Sequence, residues 1–273
     1  MTDTYAAIGN PIGFSKSPLI HGMFAQATQQ DIEYTLIEGP LGGFTGAVDA
    51  FRATGARGLN ITAPFKLDAF SYATEHSDRA KLAGAVNAMK FDGARVMAEN
   101  FDGVGLLRDV VHNQRVSLNG KRVLLMGAGG AARGALLPFL EQAPAQIVIA
   151  NRTLAKAQAL ATLAPATCLV TAAAYQELVG QEFDIVFNAT SASLRAELPP
   201  VPATVFAPGC LAYELAYGKG LTPFLRLAQN AGVKRVVDGV GMLAEQAAEA
   251  FLWWRGVRPD TRAVIEKITV PLV

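Results

Sequence analysis

The chain has 273 residues, of which 51% are hydrophobic and 17% charged, with a formal net charge of +1. That length suits about two domains at roughly 150 residues each, and the composition is that of a core-forming globular protein, which excludes a disordered chain. The near-neutral balance gives no general attraction to nucleic acid or to an anionic membrane.

Cys168 and Cys210 are far apart and fit no metal or redox spacing, so free thiols in a reducing cytoplasm and no metal site are expected. His21, His76 and His112 form no ligand cluster either. The opening residues show no basic stretch followed by an apolar run, and no apolar stretch reaches about 18 residues. Neither a signal peptide nor a membrane span is expected.

In chain order, strand-like and helix-like segments alternate, which predicts an α/β fold with mostly parallel sheet. Tyr5 to Ile8 reads as a first strand and residues 9–13 as a loop. Ser17 suits an N-cap with Pro18 at the first helical position, opening a helix to about Thr28. Ile32 to Ile37 is a second strand, Phe44 to Thr54 a helix, and Gly58 to Ile61 a strand that Pro64 cuts off. Phe91 to Glu99 fits a hairpin around Asp92-Gly93. A helix from Val104 to His112 leads to the polar turn at Ser117, Leu118, Asn119 and Gly120, the best candidate for a domain boundary.

The next unit carries the most informative pattern. Val123 to Met126 suits a buried strand, and Gly127, Gly129 and Ala132 then fit G-x-G-x-x-G/A. The first glycine makes the turn, the second admits a pyrophosphate to the backbone, and the third position lets helix and strand pack closely. The helix that follows would point its free N–H groups at the phosphates. Ile147 to Ala150 is the next strand. An NAD enzyme carries an acid near its end, but here stand Asn151, Arg152 and Thr153. Arg152 suits a 2′-phosphate, with Asn151 and Thr153 as further donors, so the expected cofactor is NADP.

Beyond it, Asp184 to Asn188 reads as a strand and Pro199 to Pro202 as a loop. Cys210 to Tyr213 is a strand, Leu221 to Asn230 a helix, Lys234 to Val237 a strand, and Gly239 to Trp254 a long apolar helix.

Four segments of the first hundred or so residues are polar where strands should end: 13–18, 60–66, 84–87 and 99–103. Ligands of open α/β sheets sit at such ends. The hydroxyls, amides, lysine and carboxylate on offer suit a small polyhydroxylated substrate. Lys66 and Asp102 fit an acid–base pair for a carbonyl whose reduction needs a proton. Taken singly, Lys66 fits a solvated surface charge better than a catalytic group, and Asp102 fits an N-cap of the following helix equally well.

The motifs Gly9-Asn-Pro-Ile-Gly-Phe-Ser-Lys-Ser-Pro18, Asn60-Ile-Thr-Ala-Pro-Phe-Lys66, Gly84-Ala-Val-Asn87, Asn100-Phe-Asp-Gly103, Gly127-Ala-Gly-Gly-Ala131, Asn151-Arg-Thr153, Asn188-Ala-Thr-Ser191 and Asp238-Gly-Val-Gly-Met-Leu243 occur in that order. Together they closely resemble the shikimate dehydrogenases. The resemblance implies two domains: an N-terminal α/β substrate domain (1–103 plus 240–273) and an inserted Rossmann-like NADP-binding domain (104–239). It implies reversible NADPH-dependent reduction of 3-dehydroshikimate to shikimate, a step toward aromatic amino acids, in a cytoplasmic monomer or homodimer. By the same resemblance Ser15, Ser17, Thr62, Asn87, Tyr217 and Gln246 would bind substrate, with Asn60 positioning the strand end. Lys66 and Asp102 would be the catalytic pair. Gly127, Ala128, Gly129, Gly130, Ala131, Asn151, Arg152, Thr153, Lys156, Thr190, Leu215, Gly239 and Met242 would line the NADP site.

The chain departs from the family pattern at Phe14 (usually His), Ala63 (Val), Ala88 (Thr) and Phe101 (Thr). Phe101 adds bulk and removes a hydroxyl beside Asp102, which leads us to expect impaired turnover. The alternatives are a divergent paralogue acting on quinate or a related hydroxy-cyclohexane carboxylate, and a non-catalytic NADP-binding regulator. Ser17 favours shikimate over quinate by the resemblance, and a mere binder needs neither Lys66 nor Asp102.

Overall fold

The computed structural model of the chain describes residues 2–166 and 168–273. Two compact units divide it, Met1–Gly105 with Ala244–Ile268 and Leu106–Leu243 with Thr269–Val273.

The first unit contains β1 (Asp3–Gly9), α1 (Ser17–Thr28), β2 (Ile32–Glu38), α2 (Phe44–Ala53), β3 (Gly58–Ile61), α3 (Lys66–Tyr72), β4 (Glu75–His76), α4 (Asp78–Ala83), β5 (Ala88–Asp92) and β6 (Arg95–Glu99). Its sheet runs in the order β2-β1-β3-β5-β6-β4. β1 lies parallel to β2 and β3, whereas β5 is antiparallel to both β3 and β6. The sheet is therefore mixed. Gly93, at φ +57°, makes the tight return between β5 and β6.

Ser17 is not the N-cap of α1. Lys16 occupies that position, and Pro18 falls in the first turn. The Ser17 N–H instead donates to Ser15 Oγ at 3.2 Å, so Ser15 satisfies one of the free donors at the helix start.

α5 (Asp102–Arg108) continues as a π-helical turn over Asp109–Asn113. The second unit then contains β7 (Arg122–Met126), α6 (Gly130–Leu140), β8 (Gln146–Ala150), α7 (Leu154–Ala161), β9 (Val170–Ala173), β10 (Phe183–Asn188), β11 (Phe206–Glu214), α8 (Pro223–Asn230) and β12 (Arg235–Val237). All its strands are parallel, in the order β12-β11-β10-β7-β8-β9. Its strands alternate between two buried faces. Leu124, Val148, Val186 and Ala212 enter one cluster, and Val123, Leu125, Ile147, Ile149, Ile185 and Phe187 the other. Burial on both faces explains why they read as continuous apolar runs.

α9 (Val240–Arg255) and α10 (Arg262–Ile268) complete the chain. The turn at 117–120 is not a boundary: Leu118 is fully buried in the second unit's core with Leu106 and Val110. Thr269–Val273 also belongs to that unit rather than the first, with Leu272 packed on its core. The helix expected from Leu221 begins at Pro223, where the Thr222 side chain caps it by accepting from Leu225 N at 3.3 Å. Among the described residues no helix is long and apolar enough to cross a membrane, and no His, Cys, Asp and Glu cluster could hold a metal.

Candidate active site

Strand direction gathers the polar groups of the first unit. Asn60 near the end of β3 is in register with Ala88 at the start of β5, and Ala88 with Glu99 at the end of β6. Antiparallel pairing thus brings Asn60, Asn87 and the 100–102 segment together at one end of these strands. Lys66 opens α3 just beyond β3.

The Lys66 Nζ is bonded to Asp102 Oδ2, and Asn87 Nδ2 donates to Asp102 Oδ1 at 2.8 Å. Asn87 Nδ2 also reaches Gln246 Oε1 at 3.3 Å, while Asn87 Oδ1 accepts from Phe101 N at 2.9 Å. Asn100 accepts from Asp102 N at 3.1 Å and donates to Ala85 O at 3.0 Å, which pins the loop. The Asp102 side chain is 13% exposed and that of Lys66 33%, so the pair is sheltered yet reachable. Asp102 is the first residue of α5, and its carboxylate is engaged by Lys66 and Asn87.

Asn60 donates to Asn87 O at 3.3 Å and accepts from Tyr34 OH at 2.6 Å. Burial pushes the Tyr34 phenol well up, against a smaller downward pull from the Ser17 hydroxyl. Ser15 and Ser17 share a hydroxyl–hydroxyl bond of 3.1 Å. Thr62 is exposed, with its methyl near Gly9. Tyr217 belongs to the second unit, where it is 42% exposed.

No sequence pattern points to Tyr34 or His21, and Asn100 lies in the polar 99–103 segment with no role assigned to it there. His21 is fully buried, stacked 4.2 Å from Tyr34, and among the described residues neither ring nitrogen has a hydrogen-bond partner. Nothing in an alternating strand or a lone histidine announces such contacts. Phe101 differs from its expectation. Its ring turns into the core among Tyr5, Ala88, Ala250 and Trp254, so its bulk does not lie against Asp102.

The second unit holds a cavity of about 390 Å³ lined by Gly127, Ala128, Gly129, Gly130, Ala131, Asn151, Arg152 and Thr190, among others. Gly127 has φ +108°, and a Cβ there would lie 2.9 Å from Ala189 O, so only glycine fits the turn. Gly129 caps α6 and Gly130 begins it. A Cβ on either would meet nothing within 4 Å and would stand in the open cradle. Asn151 Nδ2 donates to Thr153 O at 2.9 Å, and Arg152, Thr153 and Lys156 are exposed around the start of α7. Glycines at a helix N-terminus beside an exposed arginine fit a dinucleotide bearing a 2′-phosphate.

Thr190 donates through N and Oγ1 to Asn188 Oδ1 at 3.2 and 2.7 Å, which closes the turn after β10. Asn188 is held in turn by Glu214, a fully buried carboxylate that also accepts from Ser193 and Thr222. Burial raises the Glu214 carboxyl and these donors oppose the rise. Gly239 packs hard against Leu215, where a Cβ would collide with the Leu215 carbonyl, and Met242 packs on the same core. These three lie outside the glycine-lined cavity.

Residues 7–89 match the description "Shikimate dehydrogenase substrate binding domain", residues 109–196 "Shikimate / quinate 5-dehydrogenase", and residues 239–269 "Shikimate 5'-dehydrogenase C-terminal domain". The shikimate dehydrogenase (NADP(+)) of Nitrosospira multiformis is 54% identical over 97% of this chain and 96% of its own length. Among solved structures, an Ael1 enzyme from Pseudomonas putida is 60% identical, with a TM-score of 0.96 and full coverage of both chains. The shikimate 5-dehydrogenase of Thermus thermophilus, solved in complex with NADP(H) and shikimate, is 29% identical with a TM-score of 0.85 over 97% of this chain and 98% of that one. With relatives this similar over nearly its whole length, the chain belongs to the shikimate dehydrogenase family.

Proposed function

We propose that this chain interconverts shikimate and 3-dehydroshikimate with NADP(H), using Lys66 and Asp102 as its acid–base pair. The carrying observation is the Lys66–Asp102 ion pair, oriented by Asn87 at a polar strand-end edge. Membership of the family and relatives named shikimate dehydrogenase (NADP(+)) support the substrate and the cofactor.

Bound NADP(H) supplies or accepts the hydride. Residues 127–131 and the α6 N-terminus would hold its pyrophosphate, and Asn151, Arg152, Thr153 and Lys156 its 2′-phosphate. Thr190, Leu215, Gly239 and Met242 would line the rest of its site.

In the reducing direction the Lys66 ammonium donates a proton to the oxygen that becomes the hydroxyl. In the oxidising direction the same pair takes that proton back. Asp102 aims the ammonium and balances its charge, and Asn87 fixes the Asp102 rotamer. Asn60 holds the strand end through Asn87 O. Because Lys66 is engaged with Asp102, the substrate carboxylate falls to hydroxyl donors, of which Ser15 and Ser17 form a ready pair. Thr62, Tyr217 and Gln246 would complete recognition of the ring hydroxyls. We place the enzyme in the cytoplasm.

Steady-state rates with shikimate and quinate, each with NADP+ and NAD+, test this reading. Shikimate with NADP+ should be the preferred combination. A clear quinate preference would reassign the substrate, and tight NADP+ binding without turnover of any acid would make the chain a silent binder.

A further inference from the structure

The cofactor cradle contains a charge pair with no part in the proposed reaction. Arg195 and Glu197 line the same cavity as Arg152. Arg195 Nη2 lies 2.8 Å from Glu197 Oε2, and Arg195 Nη1 donates to Ser191 Oγ at 3.3 Å. The segment is a defined turn. Residues Ala192–Arg195 form a short 3-10 helix, Ala196 takes φ +55°, and the turn closes through Ala196 N to Ser193 O at 3.2 Å and Glu197 N to Ala192 O at 3.0 Å. Both guanidiniums act on the one carboxylate: the Arg195 hydrogen bond holds the Glu197 carboxyl below its ordinary value, and the charge of Arg152 lowers it further.

A carboxylate bonded to one arginine, in a cavity wall that a second arginine shares, marks the donor set of a phosphate site. Guanidinium forks match phosphate oxygens as they match carboxylate oxygens, and the phosphate carries more charge and three acceptors. The ion pair is open to solvent, with side-chain exposures of 54% and 57%, so little holds it against such a competitor. We propose that Arg195 is a second guanidinium for the 2′-phosphate of NADP(H), and that Glu197 is the resident counter-ion the phosphate displaces. This rests on the NADP reading of the cradle. Arg195 would sharpen the preference for the phosphorylated cofactor, and Glu197 would hold its affinity down.

The test is calorimetric titration of the full chain with 2′,5′-ADP, NADP+ and NAD+. Losing one charge-assisted contact in R195Q should weaken 2′,5′-ADP and NADP+ roughly tenfold while NAD+ stays within about twofold. Removing the competitor in E197Q should tighten both phosphorylated ligands about threefold. Thermal unfolding should show both variants folded like the parent, since both side chains are exposed. Unchanged 2′,5′-ADP binding in R195Q, or equal weakening of NAD+ and NADP+, would overturn the proposal. So would an E197Q variant whose main effect is weaker NAD+ binding, because Glu197 would then serve a ribose hydroxyl. If R152Q loses affinity and R195Q does not, this proposal alone falls. If the parent binds NADP+ no better than NAD+, the cofactor reading falls and takes the proposal with it.

Discussion

Replacing Phe101 with Thr, the residue of the family pattern, asks whether this side chain serves the site or the core. Its ring is 3% exposed and packs with Tyr5, Ala88, Ala250 and Trp254. Trp253 meets it edge-on at 5.8 Å, and the Arg79 guanidinium lies 5.6 Å from the ring centroid. Truncating a buried Phe costs about 3–5 kcal/mol. Thr keeps one methyl but leaves a hydroxyl in an apolar setting, so F101T should cost about 3–4 kcal/mol. At roughly 3 °C per kcal/mol for a domain of this size, calorimetry should show the first unit's transition fall by about 10 °C. The contact this position makes with the proposed site is the backbone N–H to Asn87 Oδ1, which the substitution leaves in place. Assayed where the variant is folded, kcat should therefore change by less than about threefold. A88T alone should overpack the cluster at a cost of about 1–3 kcal/mol. In the F101T background the same change fills vacated space, so the double mutant should be more stable than the sum of the singles by about 1–2 kcal/mol. A Tm drop under about 3 °C for F101T with a tenfold gain in kcat/KM would place the ring in the site and refute the reasoning.

K66A and D102N should each lower kcat by about 10²–10⁴ with much smaller changes in shikimate KM, and a normal kcat in either would remove that residue from the mechanism. G129V should fold like the parent yet bind NADP+ at least about tenfold more weakly, because its side chain would stand in the open cradle. G127A should instead lose about 1–3 kcal/mol of stability through its left-handed backbone and the Ala189 carbonyl. Equal NADP+ affinity in G129V would move the cofactor elsewhere. Burial pushes the His21 imidazole down to about 3, against a smaller upward pull from Asn60. Unfolded, it titrates near pH 6.5, so below that the unfolded chain binds a proton the folded chain refuses. Its contribution is full above about pH 7 and falls as pH drops through 6.5, by about 2 kcal/mol at pH 5. H21F, which suits the surrounding Phe24, Tyr34, Phe251 and Trp254 rings, should abolish that share of the acid sensitivity. Identical pH profiles in urea unfolding would show that His21 titrates normally.

The second unit was readable because its strands are buried on both faces and its first turn is constrained. Only apolar runs suit such strands, and only glycine suits Gly127. Lys66 and Asp102 could be singled out because both stand in polar segments at strand ends, where local pattern and topology coincide. Other features depended on partners distant in sequence. Ser17 has cap chemistry, but Ser15 and Lys16 take up the helix start. The polar turn at 117–120 looked like a linker although Leu118 is buried in the core. Phe101 sat beside a catalytic candidate in sequence while its ring faced the opposite way, which only the Ala88 and Trp253 contacts reveal. Arg195 and Glu197, two residues apart in a polar loop, match no sequence pattern, and only the fold puts them in the wall of the cavity that Arg152 also lines.

Lys66 and Asp102 are proposed to serve NADP-linked oxidation of shikimate. The most direct test follows reduced-nicotinamide absorbance with saturating shikimate and NADP+, for the parent chain and for K66A. The parent should turn over steadily and K66A should lose about 10²–10⁴ in rate, with NADP+ binding retained. No turnover by the folded, NADP+-binding parent, or equal rates in the two proteins, would contradict that role.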